Sequence, residues 1–299
     1  MKAGIDFGTT LIKAVWTEND DYHFASTKDV PLEEIVAQLK AAGVEQVGVA
    51  RIRYAADKCQ KQLQGFNITA IVGDAIQAEI HLQVAGAKEL LKIGNDNAYD
   101  FLLVGMGTGT AYSFVINNVT SHYPIGNSIG GGFMRGLAHL FGVHRYSELV
   151  SRAERGNVLD LRVKDVLAEK KDILEGELVI ANFGRANAGD CLSDFLDKAC
   201  RCERKKLNDV CATIVHCVAV ATIRDVLGIG CFLPEDVVVP KNVVYVGSTI
   251  AYNPVLQKML NDYSHAIGKT PHFPQNSAFA LAMGAYLQIN DCVQKGEHD

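Results

Sequence analysis

The stretch MKAGIDFGTTLIK, residues 1–13, opens the chain with an apolar strand, a glycine turn and the start of a second apolar strand. Such a turn suits a nucleotide phosphate, because Gly8 allows close approach to the backbone. Thr9 and Thr10 add N–H and O–H donors. A plain hairpin turn has a similar sequence, so this stretch alone leaves both interpretations open.

Two charged residues flank the turn and extend the phosphate interpretation. Asp6 ends the first strand, where a carboxylate can orient Mg²⁺ together with phosphate oxygens and water. Lys13 begins the second strand and offers a cation to a phosphate. We therefore predict that this end of the first hairpin is a candidate site for a metal-bound phosphate.

The composition indicates an ordinary globular protein. The chain has 299 residues, of which 48% are hydrophobic and 21% charged, enough for one large or two medium domains. The net charge of −5 and the scattered basic residues argue against nucleic acid or an anionic membrane as partner. No run approaches the ~20 apolar residues of a membrane span, and no signal peptide is evident. We expect a cytoplasmic protein.

The eight cysteines show no Cys-x-x-Cys spacing. A zinc site is therefore not expected, and a chain of this length without a secretory signal has no need of disulfide bonds. The sequence predicts free thiols, most of them buried.

The order of predicted elements repeats along the chain. The first part predicts strands at 2–6, 11–16 and 22–25, a helix at 31–42, a strand at 46–50, a helix at 55–63, a strand at 68–72 and a helix at 75–92. The second part predicts strands at 101–105, 111–116 and 119–125, a helix from the 130s to 141, a helix at 208–227, a strand at 242–246, and helices capped by Asn253 and Ser277.

This repeat predicts two lobes with a cleft between them. We place the boundary near 94–99, giving an N-terminal α/β lobe at 1–95 and a C-terminal α/β lobe at 96–299. The weakly periodic segment 156–207 is assigned to helical insertions in the second lobe.

Three further glycine motifs follow in the second half. Gly107-Thr108-Gly109-Thr110 follows an apolar strand, as the first glycine turn does. The triplet Gly130–Gly132 opens a helix, where N–H groups suit an anion, and Gly247-Ser248-Thr249 ends a buried strand. Each has an ordinary structural interpretation: a hairpin turn, a flexible loop and a strand exit.

In this order, the four motifs resemble the nucleotide cleft of the actin-like superfamily, which includes the sugar kinases. Within it the chain resembles type II pantothenate kinases, through segments along nearly the whole sequence. These segments are GIDFGTTLIK at 4–13, GTGT at 107–110, SIGGG at 128–132, GL at 136–137, ANFG at 181–184, YVGS at 245–248 and AFALAMGA at 278–285.

The resemblance implies an α/β, two-lobed actin-like ATPase (ribonuclease H-like) fold and an ATP-dependent kinase that uses Mg²⁺. It implies Glu79 as the carboxylate that accepts the acceptor's hydroxyl proton, although a helix carboxylate is by itself usually a solvated surface group. It implies nucleotide contacts at Asp6, Gly8, Thr9, Thr10, Lys13, Thr108, Gly109, Gly131, Gly132, Phe133, Met134, Arg135, Tyr146 and Ser248, with Asp6 also serving Mg²⁺. Phe133, Met134 and Tyr146 have core packing as their alternative role.

The chain departs from this resemblance mainly where the acceptor is expected. The first loop has one glycine before its threonines instead of two, and a Thr-Gly-Gly loop is replaced by Ala50-Arg51-Ile52-Arg53. An arginine that would bind the pantothenate carboxylate is expected near position 123, but Tyr123 stands there. A tyrosine cannot replace a bidentate guanidinium, and Arg51 or Arg53 is a candidate substitute for the charge.

The resemblance therefore implies a kinase that phosphorylates pantothenate at the start of coenzyme A synthesis, acting as a homodimer through the helix after the glycine triplet. The alternatives are a kinase for another small alcohol, a non-catalytic nucleotide-binding homologue and, least favoured at this length, an actin-like filament protein.

Overall fold

The computed structural model describes residues 1–50, 61–70, 75–124, 126–170, 174–187, 201–230 and 238–295. The first sheet contains β1 (Lys2–Phe7), β2 (Ile12–Glu18), β3 (Asp21–Ser26), β4 (Gln46–Ala50) and β5 (Asn67–Ala70), in the order β3-β2-β1-β4-β5. The first three strands are antiparallel, and β4 and β5 add on in parallel. Asn19 and Asp20 have positive φ in the β2–β3 turn, a conformation that these residue types tolerate.

The second sheet has the same topology. It contains β6 (Phe101–Met106), β7 (Thr110–Ile116), β8 (Val119–His122), β11 (Asn242–Val246) and β12 (Thr270–His272), in the order β12-β11-β6-β7-β8. Its first three strands are antiparallel and its last two are parallel to the central strand β6. The predicted repeat of strand, glycine turn, hairpin and βα elements is therefore confirmed.

Nine α-helices are described in these ranges. They are α1 (Leu32–Ala41), α2 (Ala75–Ile93), α3 (Gly131–Leu140), α4 (Tyr146–Ala153), α5 (Val163–Val166), α6 (Arg201–Ile229), α7 (Ser248–Ala251), α8 (Pro254–Ala266) and α9 (Ala280–Lys295). Short β9 (Leu161–Arg162) and β10 (Val179–Ala181) form a separate two-stranded ribbon. The ribbon lies within the segment that was expected to be helical, so that expectation is wrong at the ribbon, although α5 and the start of α6 in the same segment are helical.

Several predicted boundaries differ from the observed ones. Pro31 is the N-cap of α1 and not its first residue, and β8 ends at His122. Helix α6 begins before 208 and continues through Gly228, because apolar packing extends beyond the expected glycine stop. Ser277 lies in a 3₁₀ turn and its carbonyl accepts a hydrogen bond from Gly247 N–H, so it does not cap α9. Most of the helix predicted at 55–63 lies outside the described residues.

Helix α6 is the apolar centre of the second lobe. Its segment Lys206–Ile229 is long and apolar enough to cross a membrane, but 72% of an apolar 18-residue stretch within it is buried inside the molecule. It packs with α3, α4 and α8 against one face of the second sheet. Cys211 and Cys217 on this helix are free thiols, as expected, and burial raises their pKa values to about 11 and 12.

Helices α2 and α9 lie between the two sheets and join the lobes. Val84 of α2 and Met283 of α9 share a buried cluster with Val15 of the first sheet and Phe101 of the second. The C-terminal helix α9, which was assigned by sequence to the second lobe, thus packs on β1, β2 and β4 of the first. The lobes therefore share a continuous apolar core beneath the cleft.

The two helices approach so closely that their contact requires glycine. A Cβ atom at Gly284 of α9 would lie 1.9 Å from the carbonyl oxygen of Leu82 in α2. A Cβ atom at Gly86 of α2 would lie 1.8 Å from the carbonyl oxygen of Ala280. Because both obstacles are backbone atoms, neither can move without shifting a helix.

We predict that Gly284→Ala lowers the free energy of unfolding by about 3 kcal/mol or more, because the added methyl group forces α9 away from α2. Urea-induced unfolding followed by circular dichroism would measure the change. Gly136→Ala is the matched control, since a Cβ atom there meets nothing within 4 Å. Replacing this helical glycine should raise stability by about 0.5–1 kcal/mol. Equal effects of the two substitutions would contradict the close-packing account.

Candidate active site

The two glycine turns meet directly at the mouth of the cleft. The first follows β1 and the second follows β6, the central strands of their sheets. Thr9 Oγ1 in the first turn lies 3.1 Å from Thr108 Oγ1 in the second, within hydrogen-bond distance. Both threonines are exposed, so their hydroxyls can reach a ligand in the cleft. The structure thus brings together two turns that lie 99 residues apart in the chain.

A second contact crosses the cleft beside the first. The Arg135 guanidinium donates from Nη1 to Thr10 Oγ1 over 3.3 Å. Arg135 lies on α3 of the second lobe, and both of these side chains are exposed. Gly8 makes the sharp turn possible, because a Cβ atom there would lie 2.6 Å from the carbonyl oxygen of Leu11.

Asp6 and Lys13 form a buried ion pair at the base of the first turn. They face each other across the β1–β2 ladder, and Lys13 Nζ lies 2.8 Å from Asp6 Oδ2. Asp6 is 3% exposed and Lys13 is 7% exposed. The second carboxylate oxygen, Asp6 Oδ1, is buried with no hydrogen-bond partner among the described residues. An unsatisfied buried oxygen of this kind is suited to a cation or to a water bound to one.

The glycine triplet serves the second turn and does not present free N–H groups to an anion. Gly131 N–H donates to the Gly107 carbonyl over 2.9 Å, and Gly132 N–H donates to the Thr108 carbonyl over 2.8 Å. A Cβ atom at Gly130 would lie 2.9 Å from Cα of Gly109. The expectation of bare N–H groups at Gly131 and Gly132 is therefore wrong, because the close approach is made by the chain's own turn.

A chain of hydrogen bonds supports the same turn from the other side. Thr249 Oγ1 donates to the Gly107 carbonyl over 2.8 Å, and the Tyr146 hydroxyl donates to the Thr249 carbonyl over 2.7 Å. Asn253 Nδ2 donates to the Tyr146 oxygen over 3.3 Å, and Asn253 Oδ1 caps α8 by accepting from Leu256 N–H. Burial raises the pKa of Tyr146 to about 12, so its hydroxyl stays protonated. The hydroxyl of Tyr146 positions Thr249.

The remaining predicted contacts are divided between core and cleft. Met134 is fully buried and its side chain belongs to the core of the second lobe, while Phe133 is partly buried against that core. Ser248 is partly exposed and opens α7 directly after Gly247. Thr108 and Gly109 are exposed at the second turn. Helix packing thus removes Met134 from the cleft wall, as its core alternative predicted.

Glu79 lies on α2, one helical turn before Gln83. Lys88 Nζ donates to Asn118 Oδ1 at the far end of the second sheet, and the Gln83 side chain covers Gly105 near the end of β6. Helix α2 therefore runs antiparallel to β6. The N-terminal part of α2, which carries Glu79, therefore lies towards the C-terminal end of β6. Its side chain is partly exposed.

The segment expected to hold the acceptor's carboxylate does not present a cation at position 123. Tyr123 N–H donates to the Tyr112 carbonyl over 3.1 Å, and the Tyr123 ring packs against the core of the second lobe. Nearby, the Asp225 carboxylate oxygen Oδ2 accepts from the Tyr112 hydroxyl and from Asn127 Nδ2, each over 2.6 Å. Arg51 and Arg53, the suggested substitutes, lie outside the described residues.

The motif at 181–184 is fixed to α6 by a buried polar cluster. Asp160 Oδ1 accepts from Phe183 N–H over 2.7 Å, and Asp160 Oδ2 lies 2.5 Å from His216 Nδ1. The other ring nitrogen of His216 lies 2.5 Å from the Tyr263 hydroxyl, whose pKa burial raises. Asp160 and His216 are essentially inaccessible, so this cluster holds the loop in place.

Thr249, Tyr146 and Asn253 act together in a way that the sequence did not reveal. The Asn253-Pro254 pair indicated only a helix start, and Thr249 was noted only as part of the motif that ends a buried strand. No group of three or more His, Cys, Asp or Glu side chains suited to a metal occurs among the described residues. A cation at Asp6 would therefore take its other ligands from phosphate and water.

The fold and site define a class of protein: an α/β protein with the two-lobed actin-like fold and a nucleotide-type cleft between its lobes. Two solved structures share this fold at low sequence identity. Component A of the Acidaminococcus fermentans (R)-2-hydroxyglutaryl-CoA dehydratase aligns with a TM-score of 0.55 and 16% identity, covering 96% of each chain. The Clostridium difficile 2-hydroxyisocaproyl-CoA dehydratase activator, with bound ADPNP, gives a TM-score of 0.56 and 17% identity over 99% of this chain and 96% of that one.

The chain belongs to the Fumble family, whose model matches residues 56–288. Among its curated relatives is the type II pantothenate kinase of Staphylococcus saprophyticus, 26% identical over 95% of this chain and 99% of the relative. The type II pantothenate kinase of Staphylococcus aureus strain USA300 is 27% identical over 96% of this chain and all of the relative. The resemblance to type II pantothenate kinases that the motifs indicated is thereby confirmed.

We predict that Gly131→Ala weakens the binding of an ATP analogue by about tenfold or more. The new methyl group would lie 2.2 Å from Thr249 Oγ1 and 2.6 Å from the Gly107 carbonyl, so it displaces the second turn. Isothermal titration calorimetry would measure the affinity. Gly136→Ala, one turn later on the same helix, should bind like the wild type. Unchanged affinity in Gly131→Ala would show that the position of the second turn does not govern nucleotide binding.

We predict that Tyr146→Phe lowers stability by about 1 kcal/mol at pH 8, because the bond to Thr249 is lost. The folded pKa of Tyr146 is raised to about 12, whereas a tyrosine in the unfolded chain ionises near ~10. The stabilisation is therefore complete below pH ~10 and is lost as the pH rises to ~12. Urea unfolding of both proteins across this range should show their difference falling with a slope of about one proton, or about 1.4 kcal/mol per pH unit, so that it changes sign before pH ~12. A difference that stays constant to pH ~12 would contradict the assignment.

Proposed function

We propose that this protein is an ATP-dependent kinase that phosphorylates pantothenate to 4′-phosphopantothenate, the entry step of coenzyme A synthesis. The observation that carries the proposal is the meeting of Thr9 and Thr108 at 3.1 Å, which places two phosphate-type turns on one cleft. Membership of the Fumble family and the names of the staphylococcal relatives support pantothenate as the acceptor.

In this mechanism the two turns hold the phosphates of ATP between the lobes. Exposed Thr9, Thr10 and Thr108 supply hydroxyl donors, and the backbone of Gly8 and Gly109 allows close approach. The rigid attachment of the second turn to α3 and to Thr249 keeps its donors in place. Preorganised donors of this kind stabilise charge on a phosphoryl group without reorganising during the reaction.

Glu79 accepts the proton of the attacking hydroxyl. As the acceptor oxygen forms its bond to the γ-phosphorus, the bond between that phosphorus and the β–γ bridging oxygen breaks and ADP leaves. The proton moves from the acceptor oxygen to the Glu79 carboxylate, on the part of α2 that lies towards the C-terminal end of β6. The buried Asp6–Lys13 pair fixes the base of the first turn during this step.

The residues present fit a Mg²⁺ ion. Asp6 would hold it, directly or through water, because its Oδ1 is buried without a partner among the described residues. When bound, the ion would neutralise charge on the β- and γ-phosphate oxygens.

We also propose a cytoplasmic homodimer joined through α3, on whose last turn Leu140 is 79% exposed.

The residues around Tyr123 favour a second class of acceptor. Tyr123 packs against the core and offers no guanidinium, and the nearby Asp225 adds negative charge. A small alcohol without a carboxylate, such as a neutral amide of pantothenate, would suit these residues better than a carboxylate does. This alternative keeps the same nucleotide site and the same base.

The test is ADP release with a panel of acceptors: pantothenate, a neutral amide of pantothenate and unrelated small alcohols. We expect turnover with pantothenate, and we expect Glu79→Gln to lower kcat about 100-fold or more while nucleotide affinity stays unchanged. Turnover with the amide but not with pantothenate would show that the acceptor is a small alcohol without a carboxylate.

Two outcomes would contradict the kinase proposal itself. One is ATP binding without phosphoryl transfer to any acceptor in the panel, which favours a non-catalytic nucleotide-binding protein. The other is full activity in Glu79→Gln. Glu89→Gln serves as the control variant, because Glu89 lies on the same helix as Glu79 but about 15 Å away along its axis. Glu89 accepts a hydrogen bond from the Tyr22 hydroxyl of β3.

A further inference from the structure

Lys13, which was expected to bind a phosphate, already forms an ion pair with Asp6. Lys13 Nζ lies 2.8 Å from Asp6 Oδ2, and the two residues are directly paired in the β1–β2 ladder. Both side chains are almost fully buried. Without a cation bound at Asp6, turning Lys13 towards a ligand would leave the Asp6 carboxylate buried and unpaired, which is strongly unfavourable. The charge of Lys13 is therefore balanced within the fold before any nucleotide binds.

Arg135 is in the opposite situation. Its guanidinium is exposed and donates to a neutral oxygen, Thr10 Oγ1, at 3.3 Å. No carboxylate in the described part of the chain pairs with it. A guanidinium has five N–H donors in a fixed fork, so most of its donors and its full charge remain available to a phosphate.

The position of Arg135 is also well defined. It lies in the second turn of α3, whose first residues Gly131 and Gly132 are hydrogen-bonded to the second glycine turn. Its partner Thr10 adjoins Thr9, which meets Thr108 at 3.1 Å. The guanidinium therefore stands one residue away from the point where the two phosphate-type turns meet.

We propose that Arg135, reaching across the cleft from the second lobe, supplies the positive charge that contacts the γ-phosphoryl group during transfer. The inference rests on the proposed kinase function and assigns Arg135 a role at the transferred group, beyond contact with the nucleotide. Arg135 exchanges its weak bond to Thr10 for charge-assisted bonds to phosphoryl oxygens. It takes up no proton, since the proton of the acceptor goes to Glu79 and the bridging oxygen leaves with ADP.

The experiment compares two nucleotides and needs no acceptor. Calorimetry measures the affinity of the wild-type protein, Arg135→Ala and Arg135→Lys for ADP and for a non-hydrolysable ATP analogue, each with Mg²⁺. We expect Arg135→Ala to lower the affinity for the ATP analogue by about 10- to 100-fold and the affinity for ADP by less than about threefold. Arg135→Lys keeps the charge but loses the forked set of N–H donors. Its affinity for the ATP analogue should therefore fall between those of the wild type and Arg135→Ala.

The matched control is Arg155→Ala. Arg155 is also an exposed arginine of the second lobe whose guanidinium bonds neutral oxygens, those of Ser151. Its removal should leave both nucleotide affinities unchanged. Equal weakening of ADP and the ATP analogue in Arg135→Ala, or no weakening of either, would overturn the proposal.

Turnover provides an independent readout. Once an accepted alcohol is known, Arg135→Ala should lower kcat, and added guanidinium chloride at millimolar concentration should restore part of it. A purely structural role would give no rescue, which would count against the proposal. Failure of pantothenate as an acceptor would leave the binding comparison intact, so the two proposals can fail separately.

Discussion

The close contact between α2 and α9 is the constraint on which the rest of this structure depends. Glycines at 86 and 284 bring the helix backbones together, and the pair fills the space between two sheets of the same topology. The last helix of the chain thereby packs on its first strand, β1. Because the shared core lies beneath the cleft, it sets the distance between the two lobes, and with it the separation of the two glycine turns.

The glycines of the second lobe serve the same purpose at shorter range. The triplet at 130–132 brings α3 against the second turn, and Thr249 approaches that turn from the opposite side. The turn is thus held by backbone contacts and by a hydrogen-bond chain that ends at Asn253, the cap of α8. A turn fixed in this way has little freedom to lose on binding a ligand, which favours affinity.

The charges of the cleft are divided between a buried pair and exposed groups. Asp6 and Lys13 balance each other at the base of the first turn. The Arg135 guanidinium of the second lobe is exposed and lies beside Thr10 of the first turn. The buried pair stabilises the fold, whereas the exposed guanidinium is accessible to a ligand in the cleft.

Much of the architecture could be predicted from the sequence. Apolar runs bounded by turn residues gave β4 and β11 at their observed limits, and the repeat of strand, glycine turn and hairpin gave two lobes of equal topology. The boundaries of α6 and the role of Ser277 were missed, because tertiary packing decides where an apolar helix ends and where a serine hydrogen bonds. The glycine triplet was recognised as the start of a helix, but its close contact with the second turn was not.

The sequence by itself determined the elements, their repetition and the residue types at the two turns, since these follow from local periodicity and from the chemistry of glycine, threonine and aspartate. Only the tertiary structure decided which groups meet. It paired Lys13 with Asp6, buried Met134, turned Tyr146 towards Thr249 and brought Arg135 to Thr10. The physical reason is that the contacts of Tyr146 and Arg135 join residues 103 and 125 positions apart in the chain, and that the burial of Lys13, Asp6 and Met134 depends on how closely helices and sheets pack.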